Sequence, residues 1–262
     1  MLADIRFMKH IRKLWASWNG ALMFYTCLPI PSTYATEFRW IAQWVPFVGV
    51  VVGALMATTD RGLWVLQMPV LVRSALVIAS GLLLTGGLHL DGVMDVADGL
   101  ATPNPARRLE VMSDSRMGAF GGMAAVVLIL LKVLALAAIQ ESRAFCLVAI
   151  AVWGRWGQQW AIAHYSYLKA EGKGAFHKAA LPSVWHTLPS LCLMILVSVA
   201  LGVVGWVPAY LVWRTIVGGI GLAMLTSAYF AYRLGGHTGD TYGAVVEWTE
   251  ALLLCVLSCA PQ

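Results

Sequence analysis

The sequence predicts an all-α fold, a multi-pass integral membrane bundle of about seven transmembrane helices with an N-terminal interfacial helix. Hydrophobic residues make up 60% of the chain, charged residues only 12%, and the apolar residues form long uncharged runs. A soluble domain carries roughly 25% charged residues, and about 20 apolar residues span the hydrocarbon core as a helix. The net charge of +5 does not indicate nucleic-acid binding, because the basic residues flank apolar runs and suit lipid headgroups.

Residues 1–25 are predicted to form an amphipathic helix that lies in the membrane interface. Its apolar residues approximate one helical stripe: Ile5, Met8, Ile11, Trp15 and Trp18. The basic residues of the segment lie largely on the other faces, which is the pattern of an interfacial helix. The prolines at positions 29 and 31 predict that this helix ends before them.

Seven uncharged or nearly uncharged runs follow, and we interpret each as a span. The predicted spans cover about 40–59, 74–90, 119–140, 143–165, 187–207, 209–232 and 244–259. The fifth and sixth are separated only near 205–208, so a re-entrant pair is the alternative there. Because no long polar linker interrupts the chain, residues 1–262 are expected to form a single membrane domain.

The distribution of basic residues predicts the orientation. Of the 18 Lys and Arg residues, twelve lie on the side of the N-terminus and of the loops near 86–118, 166–185 and 233–243. Two lie on the opposite side, and four lie within spans. Basic residues are retained on the cytoplasmic side. We therefore expect a bacterial plasma (inner) membrane protein with its N-terminus and polar loops in the cytoplasm and its C-terminus outside.

The strongest functional signal is Gly86-Gly-Leu-His-Leu-Asp-Gly-Val-Met-Asp-Val-Ala-Asp-Gly99. Asp91, Asp95 and Asp98 stand at i, i+4 and i+7, so on a helix they share one face. Three like charges at that spacing repel one another unless a cation lies among them, and oxygen ligands suit Mg²⁺, Mn²⁺ or Ca²⁺. The pattern predicts a metal site for phosphate chemistry. His89 is a candidate proton carrier or a partner of the metal ligands, with an interfacial position as the alternative.

A second motif covers 107–121. Asp114 lies between two serines and precedes Arg116, and a helix is predicted to begin there with Ser113 or Ser115 as its cap. Free N–H groups at a helix start attract phosphate, so Ser115 is a candidate substrate-binding residue. Arg116 is placed to bind phosphate oxygens in a bidentate manner. Arg107 and Arg108 are candidate contacts of a nucleotide phosphate or of lipid headgroups.

A third motif covers 235–243, where closely spaced glycines predict a backbone that wraps around a substrate; Gly236 and Thr238 are the candidate binding residues. Asp240 and Glu247 follow at a spacing of seven. A carboxylate inside an apolar run is costly in lipid and is a functional candidate by default, so Glu247 is predicted to join the metal ligands. Helix capping by Asp240, with glutamates that extend towards the interface, is the alternative.

Three further basic residues are candidates for substrate binding. Arg155 lies within the fourth predicted span and requires a partner, for which a substrate phosphate and a structural ion pair are equally good interpretations. Lys169 and Lys173 lie in a short polar loop and are placed to neutralise an anionic substrate.

Taken in order, these motifs resemble the cobalamin synthase family, also called adenosylcobinamide-GDP ribazoletransferases. The resemblance extends over nearly the whole chain and rests on 86–92 with Asp95 and Asp98, on 112–118, and on 235–240 with Glu247. The chain differs from the family pattern at His237, where an apolar residue is more usual, and at 101–105, which is a compact version of a glycine-rich stretch.

The resemblance implies an Mg²⁺-dependent enzyme that joins adenosylcobinamide-GDP to α-ribazole, or to its 5′-phosphate, with release of GMP. It implies that Asp91, Asp95 and Asp98 hold one or two Mg²⁺ ions and that Arg116 and Arg155 bind phosphate oxygens. Asp114 or Asp240 would complete the metal shell or accept a proton. The expected partners are these small molecules and membrane lipid, and no nucleic acid is expected. A homo-oligomer is a further possibility that the sequence leaves open.

Two other functions compete with this interpretation. A CDP-alcohol phosphatidyltransferase-like lipid synthase also uses clustered aspartates, but its motif continues from Asp-Gly with Ala-Arg, which does not follow Asp91-Gly92 here. A metal-ion transporter would place acidic residues along a path with polar loops on both faces. The charge distribution, with the carboxylates on one side, disfavours the transporter.

Overall fold

The computed structural model describes residues 2–169 and 174–259, and this part of the chain is a helical bundle whose only β pairing is an isolated bridge between Tyr167 and His237. The helices are α1 (Leu2–Tyr25), α2 (Val45–Val65), α3 (Val70–Leu84), α4 (Leu88–Ala101), α5 (Arg108–Val111), α6 (Ala119–Ala138), α7 (Arg143–His164), α8 (Ala175–Ala180), α9 (Leu188–Val203), α10 (Ala209–Leu234) and α11 (Gly239–Ser258). The predicted all-α class is confirmed.

Five helical segments are long and apolar enough to cross a membrane: α2, α6, α10, α11 and Val184–Val203, which contains α9. α3 and α4 pass the same test only as a pair, and the pair is bent by 91°. The structure therefore supports a multi-pass membrane protein with five or six such spans among the described residues, and the predicted count of seven is not confirmed.

The fourth predicted span corresponds to α7, which is long but more polar than the other spans. Most of its residues are buried, including Trp153, Arg155 and Gln159. α7 packs against α2, α10 and α11, so its side chains contact protein rather than lipid. A helix surrounded by other helices retains polar residues because neighbouring side chains satisfy them.

The predicted N-terminal segment is one helix that ends at Tyr25, four residues before Pro29. Its last third is buried, with Ala21 and Tyr25 in the core. Asn19 donates a hydrogen bond to the carbonyl oxygen of Ala35 at 3.1 Å. This part of α1 packs on the protein, and the interfacial position of the segment stays a prediction.

The turn between α3 and α4 decides where the aspartate motif lies. Gly86 and Gly87 adopt φ values of +60° and +71°, which glycine adopts without the strain of other residues. Two left-handed residues in succession end α3 and redirect the chain into α4 across the end of the bundle. The Gly86–Gly87 pair thus makes the turn that positions the aspartate motif.

A buried ion cluster at the start of α7, away from the aspartate motif, joins three helices. Arg143 donates from Nη2 to Asp60 at 2.7 Å and to the Ser74 hydroxyl at 3.1 Å. Arg73 lies 3.2 Å from the same carboxylate. A buried carboxylate requires such partners, so the cluster ties α2, α3 and α7 together away from the aspartate motif.

Candidate active site

The candidate site forms where α4 crosses the start of α11. Gly92 lies directly beneath the backbone carbonyl of Asp240, and a Cβ on Gly243 would lie 3.0 Å from the backbone of His89. Without side chains at these two positions, the helices approach each other backbone to backbone. The crossing brings Asp91 and Asp95 of α4 to the same end of the bundle as Asp240.

Asp95 lies at the centre of this group of carboxylates. It is half-buried and interacts electrostatically with Asp91, Asp98 and Asp240, all of like charge, and with Lys169, of opposite charge. Lys169 approaches Asp240 at 3.4 Å. One lysine does not balance four carboxylates, so the group retains an excess of negative charge that a cation would offset.

The predicted metal ligands do not all converge. Within residues 2–169 and 174–259, no three His, Cys, Asp or Glu side chains lie close enough to hold one metal ion. Asp91 is exposed and Asp95 is half-buried; both lie on the face of α4 near Asp240. Asp98 and Glu247 bind other protein groups and are therefore removed from the predicted set of metal ligands. The Mg²⁺ site itself stays a prediction.

Asp98 is engaged by the start of α6. Its carboxylate accepts hydrogen bonds from the backbone N–H groups of Gly118 and Gly121, both at 2.8 Å. A carboxylate at a helix N-terminus satisfies otherwise unpaired donors and complements the helix dipole. The predicted capping by Ser113 or Ser115 is therefore wrong, because the cap comes from α4 rather than from the adjacent loop.

The loop before α6 carries an exposed ion pair. Arg116 donates from Nη2 to Asp114 at 2.6 Å and from its backbone N–H at 3.0 Å. These hydrogen bonds from the Arg116 side chain and backbone lower the pKa of Asp114 to about 2. Such a carboxylate is a weak proton acceptor, while Arg116, whose side chain is 88% exposed, is accessible to a phosphate. Ser115 is exposed beside it.

Arg107 and Arg108 differ in their surroundings. Arg107 is exposed and pairs with Glu110 at 3.3 Å. Arg108 donates from Nη1 to the carbonyl oxygen of Arg233 at 2.9 Å, and its Nε is buried without a hydrogen-bond partner among the described residues. Arg108 thus joins α5 to the end of α10 on the side of the bundle that carries the aspartates.

The glycine-rich third motif is ordered by local hydrogen bonds. Thr238 caps α11 in a reciprocal arrangement, since its hydroxyl accepts from the Thr241 N–H at 3.3 Å and its N–H donates to the Thr241 hydroxyl at 2.8 Å. The alternative of capping by Asp240 is thus wrong. Gly236 is buried against Ser166, so the close approach that required a glycine is to the protein itself.

Glu247 belongs to a buried ionic network within the bundle. Lys132 of α6 lies 2.6 Å from Glu247 and 2.7 Å from Glu250, and Arg155 of α7 lies 3.0 Å from Glu250. Two positive and two negative side chains neutralise one another there. Seven residues of helix, about 10 Å, separate Glu247 from Asp240, so Glu247 lies apart from the aspartate group. Glu247 and Arg155 therefore belong to a structural network within the bundle.

The remaining candidates lie around the crossing. His89 is 2% exposed, and neither ring nitrogen has a hydrogen-bond partner among the described residues. It lies on the protein side of α4, whereas Asp91 is exposed. Lys169 pairs with Asp240, as described above, and Lys173 lies outside the described residues.

Three residues that position the site or its supporting network were not assigned these contacts from the sequence. Gly118 and Gly121 make room for Asp98, because a Cβ at either position would overlap its carboxylate. Glu250 shares the ionic network with Lys132. The pairing of Lys132 with Glu250 could have been suspected, because each residue places a charge of opposite sign in an apolar run. Nothing in the sequence specifies that Gly118 and Gly121 contact Asp98.

Comparisons with known proteins agree with the motifs. The family model described as "Cobalamin-5-phosphate synthase" matches residues 17–258. A Trichormus variabilis protein named "Adenosylcobinamide-GDP ribazoletransferase" is 53% identical over 91% of this chain and 95% of its own length. A Synechocystis protein of the same name is 44% identical over 96% of this chain and 99% of its own. No solved structure matches the chain significantly.

Proposed function

Since the chain belongs to the cobalamin-5-phosphate synthase family, we propose that it joins adenosylcobinamide-GDP to α-ribazole or to α-ribazole 5′-phosphate. The ribose hydroxyl attacks the phosphorus that is bonded to cobinamide, and the bond from that phosphorus to the GMP oxygen breaks. The products are adenosylcobalamin, or its 5′-phosphate, and GMP. The hydroxyl proton leaves to a base. The electrostatic grouping of Asp91, Asp95 and Asp240 at the α4–α11 crossing is the observation that carries this proposal.

The donor set at the crossing fits a hard divalent cation, and we infer Mg²⁺. Asp91 and Asp95 are the residues that would hold it, with substrate phosphate oxygens as further ligands. Asp240 lies nearby and adds negative charge without completing a three-carboxylate set in this structure, while Asp98 supports the start of α6. When bound, the ion would neutralise the charge that develops on the diphosphate. Support comes from the excess of negative charge around Asp95 and from the preference of Mg²⁺ for carboxylate oxygen.

The chain's own residues would bind and orient the diphosphate. Arg116 is exposed on the loop before α6, and its guanidinium has the geometry to bind two phosphate oxygens. Lys169 lies beside Asp240 and adds a positive charge. Of the two aspartates considered as bases, Asp240 is better placed than Asp114, because the pair with Arg116 lowers the pKa of Asp114.

The orientation is part of the proposal. The contacts Arg108–Arg233 and Lys169–Asp240 join three polar loops at one end of the bundle, and we place that end in the cytoplasm at the bacterial inner membrane. Alkaline phosphatase fused after Gln140 is then expected to be active, and a fusion after Lys173 inactive. The reverse pattern would contradict the orientation.

The direct experiment incubates the purified protein with adenosylcobinamide-GDP, α-ribazole and Mg²⁺ and measures GMP. Release of GMP that requires both organic substrates supports the transferase. A parallel reaction with CDP-diacylglycerol and an alcohol tests the phosphatidyltransferase alternative, and a lipid product there without GMP release in the first reaction would refute the proposal.

A further inference from the structure

An apolar groove lies on the side of α4 that faces away from the aspartates. It has a volume of about 440 Å³ and lies between α4, α6, α10 and α11. Six of the residues that line it represent the four helices: Val96, Leu100, Ala124, Leu225, Tyr229 and Trp248. A helix that carries charged residues on one face therefore presents an unfilled apolar surface on another.

The groove opens towards the hydrocarbon of the membrane. α6 and α10 both have the length and composition of spans. Beside the groove, Met123 of α6 is 53% exposed, and Leu225 within its wall is 61% exposed. Exposed apolar side chains on a membrane span face lipid tails, so a hydrocarbon chain rather than water is the natural occupant of this space.

One end of the groove is basic. Arg233 lies one turn beyond Tyr229, donates to its hydroxyl at 3.3 Å, and places its guanidinium 5.7 Å from the ring centroid. Arg108 donates to the Arg233 carbonyl at 2.9 Å, and its own Nε is buried without a partner among the described residues. Two guanidinium groups thus lie where the apolar wall ends, and this arrangement matches a phosphate joined to a hydrocarbon chain.

We propose that the groove binds one phospholipid with a net negative headgroup. One acyl chain occupies the space between α4 and α10, and the phosphate lies against the guanidinium groups of Arg233 and Arg108. The bound chain fills the space behind α4 and so supports the helix that carries Asp91 and Asp95. This inference goes beyond the transferase reaction, since it gives a physical reason why an enzyme for polar substrates is embedded in a membrane.

The experiment measures lipid retention by native mass spectrometry of the full chain in detergent. Phosphatidylglycerol and phosphatidylcholine with identical acyl chains are titrated separately, and we expect at least tenfold tighter retention of phosphatidylglycerol, at one molecule per chain. Glycerophosphoglycerol, which is phosphatidylglycerol without its acyl chains, is the competitor. If the site binds a lipid rather than a free phosphate ester, this compound should not displace the bound phosphatidylglycerol.

Two α6 variants form the matched pair. Ala124→Trp fills the groove and should lower retention at least tenfold, whereas Val127→Trp adds the same side chain at a half-exposed position outside the groove and should leave it unchanged. Arg233→Gln should remove most of the preference for phosphatidylglycerol. Equal retention by the two tryptophan variants, or equal retention of the two lipids by the unmodified chain, would overturn the proposal.

A second measurement does not depend on the stability of a groove-filling variant. One equivalent of phosphatidylglycerol with brominated acyl chains should quench part of the tryptophan fluorescence in detergent. Trp248 lines the groove, so Trp248→Phe should remove most of that quenching, while Trp206→Phe, which changes an exposed residue between α9 and α10, should not. Undiminished quenching in Trp248→Phe would show that the lipid binds elsewhere.

Discussion

The backbone carbonyl of Asp240 occupies the space that a side chain on Gly92 would need. This contact sets the distance between α4 and α11, and with it the distance between the Asp91 and Asp95 carboxylates and that of Asp240. The two glycines at the crossing, Gly92 and Gly243, therefore contribute to the site through the backbone approach that they permit.

Gly92→Ala is expected to lower transferase activity about a hundredfold, because a displacement of about 1 Å between reacting groups has an effect of that size. The added methyl group meets the backbone of Asp240, which cannot move without shifting the start of α11. Overpacking of this kind also destabilises a fold by about 1–3 kcal/mol. GMP release and the thermal unfolding temperature in detergent measure the two effects.

The matched control is Gly122→Ala on α6, where a Cβ would meet no atom within 4 Å. Activity should be unchanged, and the free energy of unfolding should rise by about 0.5–1 kcal/mol because alanine favours a helix interior over glycine. If both variants retained full activity, the close crossing would not be required for the reaction.

Arg116→Lys is expected to lower GMP release roughly a hundredfold, which is the effect of losing one group that stabilises developing charge. Lysine keeps the charge but lacks the planar fork that binds two oxygens at once. The side chain is exposed, so stability should not change. Arg61→Lys, an exposed residue on α2, is the control, and equal activity of the two variants would remove the phosphate role from Arg116.

Lys132→Met is expected to destabilise the protein by about 3–5 kcal/mol, because it leaves two buried carboxylates without their shared partner. The double variant Lys132→Met/Glu247→Gln should recover much of that loss, since Arg155 still pairs with Glu250. Thermal unfolding in detergent measures the coupling between the two substitutions. Additive losses would show that Lys132 does not neutralise Glu247.

His237 predicts a dependence of stability on pH. Burial lowers its pKa from 6.5 to about 4, with a smaller contribution from Lys178. Between these pH values the unfolded chain binds a proton more readily than the folded chain. The contribution of neutral His237 to the free energy of unfolding is therefore complete above about pH 6.5. It is lost as the pH falls towards 4, and the loss amounts to about 3 kcal/mol. His177, whose pKa is also lowered to about 4 by burial, adds to the same trend.

The test of that dependence is thermal unfolding between pH 7.5 and pH 4.5. The unfolding temperature should fall on acidification, and His237→Gln should show a smaller fall. Glutamine keeps hydrogen-bonding groups for the Ser227 carbonyl and the Thr241 hydroxyl, which lie 3.1 Å and 2.9 Å from the histidine ring nitrogens. A slope identical to that of the unmodified chain would contradict the role of His237.

The sequence predicted the helical class because hydropathy reports burial in lipid directly. It did not settle the number of spans, since the polar side chains of α7 are satisfied by neighbouring helices. The position of α4 across the end of the bundle depends on two left-handed glycines, Gly86 and Gly87. Spacing alone cannot reveal that bend, because it does not alter the hydrophobic pattern.

Within the site, spacing placed Asp91, Asp95 and Asp98 on one helix but could not distinguish their partners. Asp98 caps α6 through Gly118, and that contact joins residues 20 positions apart. The ion-pair alternative for Arg155 is the one that the structure supports. Which carboxylates meet is decided by tertiary packing, and a single sequence carries little information on it.

The measurement that tests the central claim most directly is the Mg²⁺ dependence of GMP release by the unmodified chain and by Asp95→Asn and Asp240→Asn. Asp60→Asn, which alters the ion cluster at the start of α7, reports any loss that is due to destabilisation alone. We expect both site variants to release no detectable GMP at Mg²⁺ concentrations that saturate the unmodified chain, while they remain folded in the membrane. GMP release by Asp95→Asn at the unmodified rate and with the same Mg²⁺ dependence would contradict the account.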